Sequence, residues 1–570
     1  MNVRAHLLIL LAASAILPAA VQGQSENVPA NHPVYAFLDR METRGIIESY
    51  HDAVLPISRR EVAARLVTIR AVEGELTFAE NQILAQFISE FRFDIDGMTE
   101  EFSSLIGESP SSDGGAVWDL LSDREHFLYV LRDSSVSLFF SGLLTADVRH
   151  RSGDELNADN SFFLQFGGRF RGTLFNHLGY FLQGTNAQFW GSRDLLRADP
   201  VIGQAYTLNV LDARNFDFAE GYLRYDADIV SAEVGRERLL WGLGMDQKMV
   251  VSDNVPVYDF IRAEARYKSL QYVFMHAWLL GRNESLFFTL PGDTSTLYTE
   301  PVNADKYIAA HRLELSLPGA VDLGFQEMVI YANRAPDLAY LNPLILIESA
   351  QRSRAERDNV FWAVDAETHF LRGLQLAGTI LFDDIHFAEF FLPRWYNRYA
   401  YQASAFLTDP LFPPNTNMIV EYTRVEPFVF AHSRSREGSY SSEEGVLGPR
   451  IGPNADAWHI RFDWFPTGRL SLSLRSGIER SGENTYDQNG VLIRNVGGDI
   501  FQPHRPTDPI DRQFLDGTSM QRTSVQALAT YEACNQVWGE GWYRYESTRN
   551  VTLGTSVHNH TFGLRVRMEL

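Results

Sequence analysis

From Phe162 to Leu174 the chain alternates without a break. Phe162, Leu164, Phe166, Gly168, Phe170, Gly172 and Leu174 fall on one face, and Phe163, Gln165, Gly167, Arg169, Arg171 and Thr173 on the other. Side chains of a strand point alternately to opposite faces, so a period of two specifies a strand between two different environments. A soluble sandwich also alternates. This run, however, exceeds the roughly five or six residues of a soluble strand and reaches the ~9–11 that a tilted strand needs to cross a bilayer. It turns through Asn176-His177-Leu178-Gly179 into a second strand, Tyr180 to Thr185.

The pattern recurs. Gly221–Asp226 and Val230–Arg236 flank Ala227-Asp228. His311–Leu317 and Val321–Tyr331 flank Pro318-Gly319-Ala320. Val360–Phe370 and Leu374–Phe382 flank Leu371-Arg372-Gly373. Trp458–Phe465 and Leu470–Ile478 flank Pro466-Thr467-Gly468-Arg469. Long polar excursions separate these hairpins, at Thr408–Asn417, His432–Asp456 and Gly482–Met520. Short turns at one end and long loops at the other describe an outer-membrane barrel. The end of the chain, Phe562 to Leu570, alternates too. Outer-membrane barrels commonly finish in such a strand, usually on Phe; here the residue is Leu570. Allowing roughly 24 residues per strand and its share of the connections, residues 126–570 accommodate about 18 strands. In lipid an open sheet edge finds no water to bond, so such a sheet must close. The expected fold is mainly β, a large antiparallel transmembrane barrel.

The preceding residues read differently. Arg4 and the apolar run Leu7–Ala20 form a secretory signal, with a cut expected before Gln24. Three helical patterns follow. The first begins at Pro33, buries Val34, Phe37, Leu38 and Met41, and stops at Gly45. The second and third open on the capping boxes Ser58-Arg59-Arg60-Glu61 and Thr77-Phe78-Ala79-Glu80. The expected division is a signal peptide at 1–23, a helical periplasmic module at 24–106, a Gly/Ser/Pro linker at 107–125 and the barrel at 126–570. Two roles are open to the module: covering the periplasmic mouth, or docking a periplasmic secretion partner.

Composition removes other classes. Lys and Arg total 50 against 72 Asp and Glu, a net charge of −22 that repels nucleic acid. A single cysteine, Cys534, excludes an intrachain disulfide framework.

The chain resembles the Wzi-like capsule assembly proteins of bacterial outer membranes. The resemblance is carried by Asn31-His32-Pro33-Val34-Tyr35, Leu38-Asp39-Arg40-Met41 and Pro56 to Val62. It continues through Glu220-Gly221-Tyr222, Val234-Gly235-Arg236, Trp241-Gly242-Leu243-Gly244 and His311-Arg312-Leu313-Glu314. It extends to Tyr340-Leu341-Asn342-Pro343-Leu344, Asp383-Asp384, Glu421-Tyr422-Thr423-Arg424 and Leu447 to Asp456. It implies a large barrel with a periplasmic helical part, seated in outer-membrane lipid, that holds capsular or extracellular polysaccharide at the surface without catalysis. It implies no cofactor and no catalytic residue set.

Candidate residues follow from placement. Arg169, Arg171, Arg565 and Arg567 share the polar face of their strands and are expected in the lumen, either attracting an acidic polymer or bracing the barrel against lumen carboxylates. Arg236, Trp241, Trp190, Trp395, Tyr396 and Tyr399 are the candidates for polysaccharide contact, the aromatic ones by stacking on sugar faces; interfacial packing is their alternative. Asp383-Asp384-Ile385-His386 is the one string that suggests a hydrolase, but adjacent strand residues point apart. His558-Asn559-His560 lacks a third metal ligand. No catalytic residue and no metal are expected. The alternative functions are a porin-like diffusion channel and a polysaccharide export component.

Overall fold

A computed structural model describes residues 24–97, 102–104, 124–133, 135–154, 156–205, 214–281, 284–290, 293–302, 304–353, 358–384, 386–389, 392–432 and 436–570. The expected signal peptide and most of the expected linker lie outside the described residues.

A closed antiparallel barrel of eighteen strands dominates. Its first nine strands are β1 (Val136–Gly153), β2 (Leu156–Leu174), β3 (Leu178–Gly191), β4 (Asn215–Ala227), β5 (Val230–Glu237), β6 (Tyr258–Tyr267), β7 (Leu270–Leu280), β8 (Asp305–Leu317) and β9 (Val321–Ala332). The other nine are β10 (Asn359–Thr368), β11 (Leu374–Asp384), β12 (Arg398–Thr408), β13 (Thr416–Val425), β14 (Ala455–Thr467), β15 (Leu470–Glu483), β16 (Thr518–Cys534), β17 (Val537–Asn550) and β18 (Thr555–Glu569). Each strand pairs with its sequence neighbour. Closure comes from β18 on β1, with Phe562 opposite His150 and Leu564 opposite Val148. Where β18 ends, a short strand Tyr129–Asp133 takes over the lower edge of β1.

The alternation of β2 sorts as the period demands. Phe162 and Phe166 face outward at 37% and 54% exposure, while Phe163, between them in sequence, is 2% exposed inside. On β18, Phe562, Leu564 and Val566 form the outer face. The barrel therefore presents an apolar exterior and satisfies its own backbone, as lipid requires.

Connections at one end are short turns; those at the other are mostly long. Thr408–Asn417 is the exception to the sequence reading. It was expected among the long loops, but strand parity puts the β12–β13 connection at the short-turn end. Arg40 pins it there, donating to Asp409 Oδ2 (2.6 Å), Asn417 Oδ1 (2.7 Å) and Thr416 O (2.9 Å).

The helices form where their caps stand. They are α1 (Val34–Thr43), α2 (Arg59–Arg70, capped by Ser58), α3 (Phe78–Glu90, with the Thr77/Glu80 capping box complete) and the short α4 (Arg92–Asp96). Their apolar faces make one core around Leu38, Met41, Leu66 and Phe91. This module sits across the short-turn end. Gln86 reaches Glu532, Arg266 pairs with Glu61, and Gly373 N donates to Thr43 O at 2.8 Å. The segment ahead of α1 goes deeper, with Asn27 Nδ2 2.6 Å from Glu237.

From the opposite end the β5–β6 connection, residues 238–257, folds into the lumen. Leu240 and Trp241 pair with Leu55 and Val54, so the two insertions meet. Around them lies an apolar core inside the barrel: Trp241, Met249, Val250 and Val251 pack on Met275, Ile308, Ile330, Phe361, Leu381 and Val425. The strands of this wall, β6 to β13, are therefore apolar on both faces over part of their length. The runs Val273-Phe274-Met275 and Met328-Val329-Ile330 show it in sequence, because a strand buried on both sides does not alternate.

The β9–β10 connection folds the other way, down the outside of β7–β9. Its helix α6 (Ile347–Ser353; α5 is Arg193–Arg197) offers its first amides to Glu327, with Ile347 N and Glu348 N each donating at 2.8 Å. A carboxylate on the outer wall is thereby satisfied by a helix N-terminus.

Candidate functional site

Because the inserted core leans on β6–β13, the lumen stays open along the opposite wall. A cavity of about 1760 Å³ runs there. Its floor is the helical module, with His32, Phe37 and Phe87; its upper border reaches the exposed Val201 and Arg450 of the long loops.

The inner face of β17 shows how the strand period builds this wall. Trp538, Glu540, Trp542, Arg544 and Glu546 stand on alternate positions and all line the cavity. Arg567, on β18, lies over the Trp538 ring at 4.7 Å, and Arg149, on β1, over Trp542 at 5.7 Å. Trp542 lies flat against Gly563, where a Cβ would fall 2.1 Å from its ring; only glycine leaves that room. Carboxylates hold the arginines. Arg149 meets Asp147 and Asp199 at 2.7 Å each, and Arg565 meets Asp147 at 2.8 Å and Glu540 at 3.5 Å. Higher on the wall, Arg522 joins Glu546 at 2.7 Å, and His459 lies between Asp246 (3.3 Å) and Glu479 (3.5 Å). Arg475 also lines the cavity and makes no ion pair among the described residues.

The residues singled out from sequence divide. Arg169, Arg171, Arg565 and Arg567 all border the cavity. Each is held: Arg169 by Glu569 and by Gln183 (2.8 Å), Arg171 by Glu26 (3.1 Å), and Arg567 by Glu540 at 4.0 Å. Arg236 borders the cavity in a two-pronged pair with Asp259, at 2.8 and 2.9 Å. Trp241 requires a correction: it is wholly enclosed in the inner core and presents no face to a sugar. Trp190 stacks on the outward-facing Phe162 at 5.3 Å, on the outer wall rather than the lumen. Trp395, Tyr396 and Tyr399 lie outside the cavity, on the β11–β12 connection and the start of β12. They are occupied by the 504–512 segment and their own loop: Trp395 stacks on His504 at 4.1 Å, Tyr399 lies under Arg512 at 5.5 Å, and Tyr396 bonds Glu389.

Asp383 and Asp384 both reach Arg398, because a bulge between Phe382 and Asp384 breaks the alternation. The arginine holds them as a brace, and Asp383 also accepts from Phe430 N at 2.7 Å. His558 and His560 bond Tyr545 and Tyr543 separately.

Sequence reasoning missed Trp538, Trp542, Arg475 and Arg522. The signal was available in β17, where Trp-x-Glu-x-Trp-x-Arg-x-Glu is a polar-aromatic face with period two.

At the floor, burial dominates the electrostatics. The Asp39 carboxyl of α1 is pushed up to about 7, by burial first and then by the nearby Asp52 charge. Glu42 is held well above the usual carboxylate range for the same reasons.

No family model and no curated protein matches this chain. Among solved structures, the chain is similar to Wzi, an Escherichia coli outer-membrane protein involved in group 1 capsule assembly and described as a carbohydrate-binding β-barrel. The TM-score is 0.56 at 12% identity, over 95% of this chain and 99% of that one. OprD, an outer-membrane protein of Pseudomonas aeruginosa, aligns with a TM-score of 0.41 at 10% identity, over 76% of this chain and 93% of its own. The likeness to Wzi is one of fold, covering the barrel and the helices that close it.

Proposed function

We propose that this chain is a Wzi-like outer-membrane barrel that binds polysaccharide and retains it at the cell surface, without catalysis. The observation that carries the reading is the vestibule: a large cavity of mixed polar and apolar lining, bordered by the long loops above and by the helical module and the neighbouring short turns below. Its wall combines tryptophan rings with the arginines that lie over them, which a sugar would displace or share. Rings stack on the apolar faces of pyranoses, and guanidinium groups pair with sugar carboxylates. Arg475, free of ion pairs among the described residues, is the cation best placed for an acidic sugar. Many weak contacts along one polymer sum to firm retention through effective concentration. The long-loop end faces outward in this reading, and the helical module faces the periplasm, where its contacts favour closing the mouth over docking a partner.

A diffusion channel is the competing function, and the module and inner core that occupy much of the lumen weigh against it. Deleting the protein from its host and assaying cell-bound against released polysaccharide tests the proposal. Polymer shed into the medium is the expected result; a deletion strain that keeps its surface polymer would refute it. In a planar bilayer the purified protein should show little conductance, and large solute-dependent currents would favour the channel.

A further inference from the structure

The carboxylate of Glu42, near the end of α1, points into the seam between the helical module and the barrel. There it meets Asp322, near the start of β9, and His369, in the turn between β10 and β11. One oxygen of each acid and a ring nitrogen of His369 lie within 4.8 Å of one another. Glu42 Oε1 is 3.3 Å from His369 Nδ1, and Asp322 Oδ2 is 3.3 Å from His369 Nε2.

Two features set this group apart from an ordinary acidic patch. First, it is enclosed, with side-chain exposures of 1%, 6% and 8% for Glu42, Asp322 and His369. Second, its donor atoms are idle. Both oxygens of Glu42, Oδ1 of Asp322 and Nε2 of His369 have no hydrogen-bond partner. Folded proteins rarely leave buried polar atoms in that state without a reason. The surroundings make the deficit worse, since Asp39 and Asp52 add negative charge near Glu42, against Arg65.

The spacing is informative. A tetrahedral ion with bonds of ~2.0–2.1 Å places neighbouring donor atoms ~3.3 Å apart. Each ring nitrogen of His369 has that separation from one carboxylate, Nδ1 from Glu42 and Nε2 from Asp322, so whichever nitrogen ligates shares one such edge, with the third donor within 4.8 Å. One imidazole with two carboxylates suits zinc better than calcium or magnesium, which favour all-oxygen shells.

We propose that Glu42, Asp322 and His369 form a divalent-cation site, with zinc the fitting ion, that clamps the helical module to the barrel wall. The three ligands come from α1, β9 and the β10–β11 turn, so one ion ties the module to two hairpins. Ser49 Oγ donates to Asp322 Oδ2, the oxygen that faces His369 Nε2, and orients this carboxylate, leaving Oδ1 free to ligate. A water supplies the fourth position. The site is independent of the polysaccharide reading.

The test uses the full-length mature protein in detergent, stripped with EDTA and titrated with zinc chloride alone. One zinc per chain is expected, with at least a tenfold loss of affinity in Glu42→Gln and in His369→Gln. Heat-modifiable gel migration checks that each barrel is folded. Crystals of the wild-type protein soaked in zinc chloride and measured at the zinc edge make the test independent of any variant. An anomalous peak between the three side chains is expected. Absence of that peak would overturn the proposal and leave His369 as a bridge between two carboxylates. Equal zinc binding by folded wild type and both variants would overturn it as well. Uptake of calcium but not zinc would overturn the assignment of the ion.

Discussion

The two walls of this barrel solve different problems with the same strand geometry. The wall from β6 to β13 is packed on both sides. Inside, Met275, Ile308, Ile330 and Phe361 hold the inserted residues 238–257; outside, the 333–353 segment lies on Tyr307, Val329 and Tyr331. The wall from β14 through β18 keeps a bare apolar exterior and a wet interior of paired charges and tryptophans. The first wall behaves as the core of a soluble protein placed inside a membrane barrel. The second behaves as a membrane barrel with a polar lumen. The difference teaches that plugging need not be central: a core attached to one wall leaves a vestibule along the other.

The sharpest way to break that contrast is Trp241→Ala. Emptying the inner core at this fully buried residue should cost ~3–5 kcal/mol, read as a lower thermal midpoint in detergent. Trp542→Ala, on the wet wall, should lower the midpoint by less than Trp241→Ala while weakening polysaccharide binding about tenfold or more. If the two variants shift the midpoint alike, the division of labour between the walls is wrong.

On the covered outer wall, Glu327→Ala removes the acceptor for two amides of α6. A loss of ~1–3 kcal/mol is expected, since buried donors are left unmet. Hydrogen exchange should quicken in 345–353 and not in β15–β17.

The floor beneath both walls supplies a pH prediction. Asp39 titrates near 7 in the fold, against an ordinary value of 3.8. The folded state therefore binds the proton more tightly between about pH 4 and 7, and docking of the module weakens as pH rises through that window. Protease digestion of 24–97 should be slower at pH 5 than at pH 8, and Asp39→Asn should flatten the difference. A profile that runs the opposite way would contradict the buried, proton-holding carboxyl.

The smallest expected effect on stability is that of Arg475→Ala, which loses no ion pair. Its consequence should be confined to binding of an acidic polymer and should fade at high salt. Unchanged affinity at low salt would remove Arg475 from the binding wall.

Much of this was legible in the residues. The Phe162–Leu174 alternation declared a two-environment strand. The Ser58 and Thr77 capping boxes marked two helix starts, and the hairpin at Pro466–Arg469 set the register of β14 and β15. The candidate site was legible only in part. The arginines of β2 and β18 were found because their period is clean, and Trp538 and Trp542 could have been found the same way. Trp241 was misjudged because its strand ends before it. A tryptophan beyond a strand reads alike whether the chain continues outward or folds back into the lumen.

What the sequence determined by itself was local. Period-two patterning, turn chemistry and helix caps act over a few residues, and they specified a many-stranded closed sheet led by a small helical module. What only the tertiary structure decided was where each connection goes. Residues 238–257 turn inward, 333–353 lie on the outside and 408–417 sits at the module's end, because each position depends on partners far along the chain. Trp241 needs Val54, Glu327 needs the amides of Ile347 and Glu348, and Thr416 needs Arg40. Those pairings exist only once the barrel has closed and brought them within contact range.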